Sequence, residues 1–459
     1  MTPAALVVAL LTAQTGPLSL AEVLESARAA YPSLVGARAD VEGAEGDQLA
    51  AAGAFDPVWR TRAWTTPISG YPQTRVDSIV EAPTPLWGTS FFGGYRLGTG
   101  KIQSYYGERE TWTGGELRAG AVVPLIRNGP IDRRRATEAR AELGRSLAGL
   151  SVEQQQIELT RVATWRYWEW VAAGRRREVA RALLQLATDR DLQLGARAKM
   201  GDVAQFDRQD NVRALMQRQA FVVQAQRSVE QAAFELSLFL RDAAGDPVLP
   251  ADERLPSLPE LSSVELDLDP AAALARRPDV KRLLDQKRQA EIELRFQKNQ
   301  LLPSLDVGVA VSKDLGAPAR PEAQALGTTE VEVSAVLEVP LLYRAPLGRM
   351  QNARAAIAKV DAQLRLARDR VAVEINDARS ALNAAQERLT FARREVEVAL
   401  ALEQGERTRF ELGDSSLLFV NLREQTTGEA RLREVDALLD GHRAQASLRA
   451  ALALASESK

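Results

Sequence analysis

The chain repeats itself in order, and that repetition limits its fold more than any single residue does. Ala27-Arg-Ala-Ala-Tyr31-Pro32, a polar helical stretch and Phe55-Asp56-Pro57-Val58-Trp59 line up without gaps on Ala273-Leu-Ala-Arg-Arg277-Pro278 and then Leu301-Leu302-Pro303-Ser304-Leu305. Further on, Val123-Pro124-Leu125-Ile126 lines up on Val339-Pro340-Leu341-Leu342, and Arg197-Ala-Lys-Met-Gly201-Asp202 on Arg409-Phe-Glu-Leu-Gly413-Asp414. Three anchors in one order indicate two copies of one unit. Between them, Pro247, Pro250, Pro256 and Pro259 interrupt any helix or central strand, because proline lacks the N–H that both require. That stretch reads as the connector.

Each half has the same grammar: helix, strand, loop, strand, very long helix, break, helix. In the second half Leu305, Val307, Val309 and Val311 alternate with Asp306, Gly308, Ala310 and Ser312. Val331, Val333, Ala335, Leu337 and Val339 likewise alternate with Glu330, Glu332, Ser334, Val336 and Glu338. A period of two puts the apolar set on one face of a strand. The first half shows a weaker version in Trp59, Thr61 and Ala63, and in Leu117, Ala119, Ala121 and Val123. Four such strands are too few for a sandwich, and their apolar faces lack a partner sheet. A transmembrane barrel built with other copies meets both needs, since closure removes edges and lipid covers the apolar face. Trp59, Trp64, Tyr71, Trp87, Phe91, Phe92, Tyr95, Tyr105, Tyr106 and Trp112 cluster in and between the first strand pair, as interfacial girdles and outer loops would. The Gly-rich run Gly88 to Gly100 is expected to be a long external excursion.

The helices carry an explicit seam. Val371, Ile375, Ala378, Leu382, Ala385, Leu389, Ala392, Val396 and Ala399 recur at alternating steps of four and three, the heptad spacing of coiled-coil packing. Ala353, Ile357, Val360, Leu364 and Ala367 keep the same rhythm and join it through an extra step of four, which locally unwinds the supercoil. No proline falls between Leu347 and Glu411, so a helix of about 95 Å is expected at about 1.5 Å per residue. The stretch from Ile131 to Met200 is its counterpart. Each ends at a Gly-Asp pair, where glycine can take the left-handed cap that stops a helix.

Composition excludes most chemistry. The 459 residues contain no cysteine and one histidine, His442, which removes disulfides, thiol catalysis, Cys/His zinc sites and Ser-His-Asp catalysis. A formal net charge of −2 gives no attraction to nucleic acid, and the arginine runs at 133–135 and 175–177 read as solvated helix faces. No catalytic residues, metal or cofactor are expected. The apolar start through Gln14 looks like a signal peptide, although it lacks a basic n-region and could instead begin a helix. No later window is apolar for the roughly 20 residues that a membrane helix needs.

The paired strands, the Val-Pro-Leu junction into each long helix and the Gly-Asp turns resemble the TolC family of outer-membrane efflux proteins. That resemblance implies an α+β membrane protein: a homotrimer in which each protomer gives four strands to one twelve-stranded β-barrel in outer-membrane lipid. A long antiparallel helical barrel would continue it into the periplasm. It implies a passive exit duct of a tripartite efflux or type I secretion system, meeting a periplasmic adaptor protein and an inner-membrane pump of RND, ABC or MFS type, with no role for nucleic acid. The division expected is a signal peptide over 1–14, a first repeat over 15–240, the equatorial connector over 241–264, a second repeat over 265–448 and a tail over 449–459. Within these, strands are expected near 56–66, 113–124, 304–312 and 330–340, long helices near 131–200 and 347–411, and return helices near 203–240 and 415–448.

By the same resemblance Gly201, Asp202, Gly413 and Asp414 form the two hairpin tips, Asp207 matches an acidic tip residue and Phe410 the aromatic beside the second tip. Ser415 stands where some members carry a tip arginine, and Phe419 and Leu422 where some carry the aspartates that ring the pore entrance. An apolar gate with Phe419 is therefore expected in place of an acidic one, the alternative being that Phe419 packs within its hairpin. Two other readings of the whole chain stay open: a periplasmic adaptor and a soluble coiled-coil scaffold.

Overall fold

A computed structural model describes residues 16–100, 110–200, 205–262, 269–318 and 328–454, with side chains described outside 197–207. The expected signal peptide, and Gly201 with Asp202, lie outside these residues. The helices are α1 (Leu20–Ala30), α2 (Pro32–Ala52), α3 (Arg133–Met200), α4 (Gln205–Ser237), α5 (Pro270–Arg276), α6 (Pro278–Asn299), α7 (Arg344–Glu411) and α8 (Leu417–Ala451). The two long helices, α3 and α7, are 68 residues each. The strands are β1 (Val58–Thr66), β2 (Gln73–Pro83), β3 (Ser90–Gly100), β4 (Glu116–Pro124), β5 (Ser304–Asp314) and β6 (Thr329–Glu338). No described helix is long and apolar enough to cross a membrane. The chain divides into two compact units: one takes the residues up to Ala39, Leu150–Lys281 and those from Arg365 on, the other Asp40–Gly149 and Arg282–Leu364.

The first unit is helical. Ser19 caps α1 by accepting the Glu22 N–H at 3.2 Å, and Glu22 in turn takes an ion pair from Arg254 at 2.7 Å. Tyr31 ends α1, and Pro32 opens α2 at the position where a missing N–H does no harm. The core packs Val23, Leu24, Leu34, Tyr167, Trp170, Leu236 and Phe239. Tyr167 donates its hydroxyl to the Leu18 carbonyl at 2.9 Å, and burial pushes its pKa up to about 12. In α7 the heptad seam is what disappears from solvent: Val371, Ile375, Ala378, Ala385, Leu389, Ala392 and Ala399 are buried, and Leu382 and Val396 half-buried.

The Pro-rich stretch runs along this unit. The carbonyl of Arg254 accepts the Leu18 N–H at 2.8 Å, and the side chains of Leu255 and Leu261 lie against Gly174 of α3 and Gly441 of α8. A Cβ on Gly441 would come within 2.8 Å of the Leu261 side chain, so the helix surface is cut away where the connector sits.

The second unit holds one antiparallel sheet in the order β1-β2-β3-β4-β5-β6, with every neighbour consecutive in sequence. Here the four-strand expectation is corrected. Six strands pair, four from the first half and two from the second. The run from Gly88 to Gly100 expected as an external excursion is mostly β3, paired over its length with β2, and seven of its residues pair with β4. The reason is physical: once Gln73–Pro83 turns back on β1, its outer edge needs hydrogen-bond partners, and β3 supplies them. The aromatics of the sheet divide between its two faces. Trp59, Phe91 and Tyr95 share one face by register, while Trp64 and Phe92 point to the other, and Tyr105 and Tyr106 lie outside the described residues.

Candidate functional site

The second hairpin tip is built from its cap. Gly413 takes φ +83, and the N–H of Asp414 reaches the Arg409 carbonyl at 2.9 Å while that of Gly413 reaches Phe410 at 3.1 Å. This pair of bonds is the Schellman arrangement, in which a left-handed glycine satisfies the last free carbonyls of a helix. Any side chain there would be strained, so glycine at 413 is a backbone requirement. Around it, Ser415 donates its hydroxyl to Glu406, which also has Arg409 at 3.8 Å and Arg423 at 3.9 Å. Arg409 closes the turn by bonding the Asp414 carboxylate at 3.4 Å and its carbonyl at 3.2 Å.

Beyond the turn, Leu417 and Val420 are buried, while Leu418, Phe419 and Leu422 are exposed. Phe419 is 53% exposed, which answers one question directly: within this chain its ring does not pack into the hairpin. Phe419 and Leu422 are three residues apart on α8, so they share a face of the helix. Phe410 is half-buried at the end of α7. Of the first tip, Gly201 and Asp202 lie outside the described residues, and Asp207 belongs to α4 with its side chain likewise outside them. The structure therefore gathers Phe410, Gly413, Asp414, Ser415 and Phe419 into one tip.

Sequence reasoning missed the strongest electrostatic feature. Glu424 of α8 is completely buried, and its carboxylate takes Arg190 of α3, Arg218 of α4 at 2.9 Å and Arg407 of α7 at 3.0 Å. Arg190 also donates to Asn421 at 2.6 Å, and Arg218 to the Leu183 carbonyl at 2.8 Å. One carboxylate thus ties four helices together. Burial alone would raise its pKa, but Arg190 and Arg218 outweigh that and hold the carboxyl below the usual carboxylate range. A further buried titratable group is His442, whose ring stacks on Trp168 at 4.1 Å and donates Nε2–H to the Pro259 carbonyl at 3.2 Å. Burial holds its pKa below 6.5, so it is neutral and joins α8 to the connector. Among the described residues no group of three His, Cys, Asp or Glu is placed to hold a metal.

The sheet of the second unit carries a feature of its own. Following the register across all six strands puts Trp59, Val80, Gly93, Ala119, Val311 and Val331 in one row, and Phe91, Ala121, Val309 and Val333 in the next. The opposite face carries the row Arg62, Asp77, Arg96, Glu116 and Asp314, with Arg96 between Asp77 at 3.6 Å and Glu116 at 3.8 Å. One face is apolar and the other charged.

No family model and no curated protein matches the chain, but solved structures do. The outer-membrane channel OprN aligns at 18% identity and a TM-score of 0.66, over 95% of this chain and 89% of that one. The outer membrane protein VceC of Vibrio cholerae aligns at 16% and 0.67, over 95% and 97%. The open state of the MtrE outer membrane channel of Neisseria gonorrhoeae aligns at 15% and 0.66, over 95% and 89%. The fold is the one shared by these outer-membrane channels, along nearly the whole length of each. At such identity the likeness is one of fold, and the function must be argued from the residues.

Proposed function

We propose that this chain is the protomer of a homotrimeric outer-membrane channel of the TolC-like family, acting as a passive exit duct and performing no chemistry. The observation that carries this reading is the sheet's apolar face, where Val331 and Val333 are 64% and 70% exposed. Water would not tolerate a continuous face of that kind, whereas hydrocarbon covers it without loss. The fold shared with solved outer-membrane channels supports the same reading.

In this reading the two halves are duplicated units, the helices lie in the periplasm and the connector forms an equatorial belt. The tip of Phe410, Gly413, Asp414, Ser415 and Phe419, with Gly201, Asp202 and Asp207 of the first hairpin, is the periplasmic gate. Exposed Phe419 and Leu422 give it an apolar ring when three copies meet. The tip docks a periplasmic adaptor of a tripartite efflux or type I secretion system, whose inner-membrane pump, of RND, ABC or MFS type, selects the cargo. The test is expression in a Gram-negative host, fractionation and electrophoresis with and without boiling. A heat-modifiable band in the outer-membrane fraction supports the channel; a soluble band unaffected by boiling overturns it.

A further inference from the structure

We propose that all six strands span the membrane and that β1 of one copy pairs with β6 of the next, so that three copies close a barrel of eighteen strands. This rests on the trimeric channel reading above, which by resemblance alone would have given twelve.

The inserted hairpin is built like the strands beside it. On the apolar face β2 presents Thr74, Val76, Ser78, Val80 and Ala82, and β3 presents Phe91, Gly93, Tyr95, Leu97 and Thr99. Across all six strands Lys313, at the end of β5, is the one charge among the described residues of that face. Five of the polar side chains there pair with one another: Trp59 Nε1 donates to Ser78 Oγ at 2.8 Å, Thr61 and Ser78 share a bond of 2.9 Å, and Thr65 and Thr74 another of 2.9 Å, while Tyr95 donates its hydroxyl to the Gly114 carbonyl at 3.0 Å. Such pairing is what a hydroxyl needs before it can face hydrocarbon. Arg75, Asp77, Glu81 and Arg96 fall on the opposite, water-facing side. A hairpin standing in water above the membrane would have no reason to keep its charges off one face.

The edges indicate what covers them. Every residue of β1 and of β6 is exposed, and these two strands are the ends of the sheet. A row of unpaired N–H and C=O groups cannot remain open in a bilayer. Because the number of strands is even and all neighbours are antiparallel, β1 of a second copy meets β6 in antiparallel sense. Charge agrees: the water-facing side of β1 carries Arg60 and Arg62, that of β6 Glu330, Glu332 and Glu338. The occupant of each edge is therefore another copy of this chain. Eighteen strands leave a water-filled channel of porin width.

The chain has no cysteine, so single cysteines report cleanly. Ile79→Cys and Val80→Cys on β2, with Ala310→Cys and Val309→Cys on β5 as reference, are made in the full chain, spin-labelled and reconstituted in lipid vesicles. Collision with oxygen, which concentrates in lipid, is compared with collision with a water-soluble nickel chelate. The expected result is inversion between neighbours on both strands, with 80 and 309 favouring oxygen, and 79 and 310 favouring nickel. Inversion on β5 with nickel access at both β2 positions overturns the eighteen-stranded barrel and leaves the channel standing. Absence of inversion on β5 as well overturns the channel reading and this proposal with it. Heat-modifiable migration of each variant confirms that it has folded.

Discussion

The helical unit and the six-stranded sheet place their apolar residues in opposite ways. In the helices the seam is hidden, with Val371 at 1% and Ile375 at 2% exposure, and charges are paired, Glu374 beside the seam with Arg277 and Glu424 with Arg190 and Arg218. In the sheet the valines stand outward and the charges of Arg96, Asp77 and Glu116 interlock on the other face. On the channel reading proposed above, one region is organised for water and the other for hydrocarbon. A single hydrophobic rule cannot describe both, because burial is measured against whichever solvent surrounds the surface.

Substitutions can break this contrast. The largest effect is expected for Glu424→Ala, which leaves Arg190, Arg218 and Arg407 without their shared counter-charge. Removing one partner of a buried ion cluster costs about 3–5 kcal/mol, so thermal unfolding in detergent should shift well below wild type. An unchanged midpoint would mean that the cluster holds nothing together. Next comes Val333→Arg on the apolar sheet face, expected to destabilise the protein in lipid by about 2–4 kcal/mol near the midplane. Chemical denaturation in vesicles measures it, and near-neutrality there would place Val333 in water.

Smaller changes sharpen the comparison. Ile375→Val in the helical seam should cost about 0.5–1.5 kcal/mol through lost packing, whereas Val333→Ile, an enlargement that a packed core would resist, should cost nothing in lipid, since lipid yields the space. Paired unfolding curves decide it, and equal losses at both positions would put the valine in a packed core. The smallest effect is that of pH on His442. Its folded pKa lies below 6.5, so the unfolded chain takes up a proton first as pH falls. Stability from this group is intact above about 6.5 and declines as pH drops through the folded value. Replacing it by Gln should flatten that decline. Glu424 acts in a lower window: its stabilisation is present above the unfolded carboxylate range and is lost as pH falls through its depressed folded value.

Much of this was legible in the sequence where one period dominated. The α7 seam reads as steps of four and three, and its buried residues are the ones so spaced. β5 and β6 show because their valines alternate with small or polar residues, Gly308 and Ala310 in the one and Glu330 and Glu332 in the other. β2 and β3 did not show: Ser78, Ala82 and Gly93 occupy apolar-face positions with little hydrophobicity, and the adjacent Phe91 and Phe92 obscure the alternation. The Glu424 cluster was hidden for another reason, because its arginines come from positions 190, 218 and 407 and meet only through packing of helices distant in sequence. The tip glycine at 413 was readable, since a Gly-Asp pair after a long helix has few other uses. Exposure of Phe419 was not, as spacing alone does not say which side of a hairpin a residue takes.

The central claim is that this chain is one third of a membrane channel, and the mass of the full-length protein extracted from membranes tests it most directly. Native mass measurement should give three times the 50.1 kDa of the chain, less any leader removed on export, dissociating only when boiled in detergent. A monodisperse monomer, stable in water without detergent, would contradict the account.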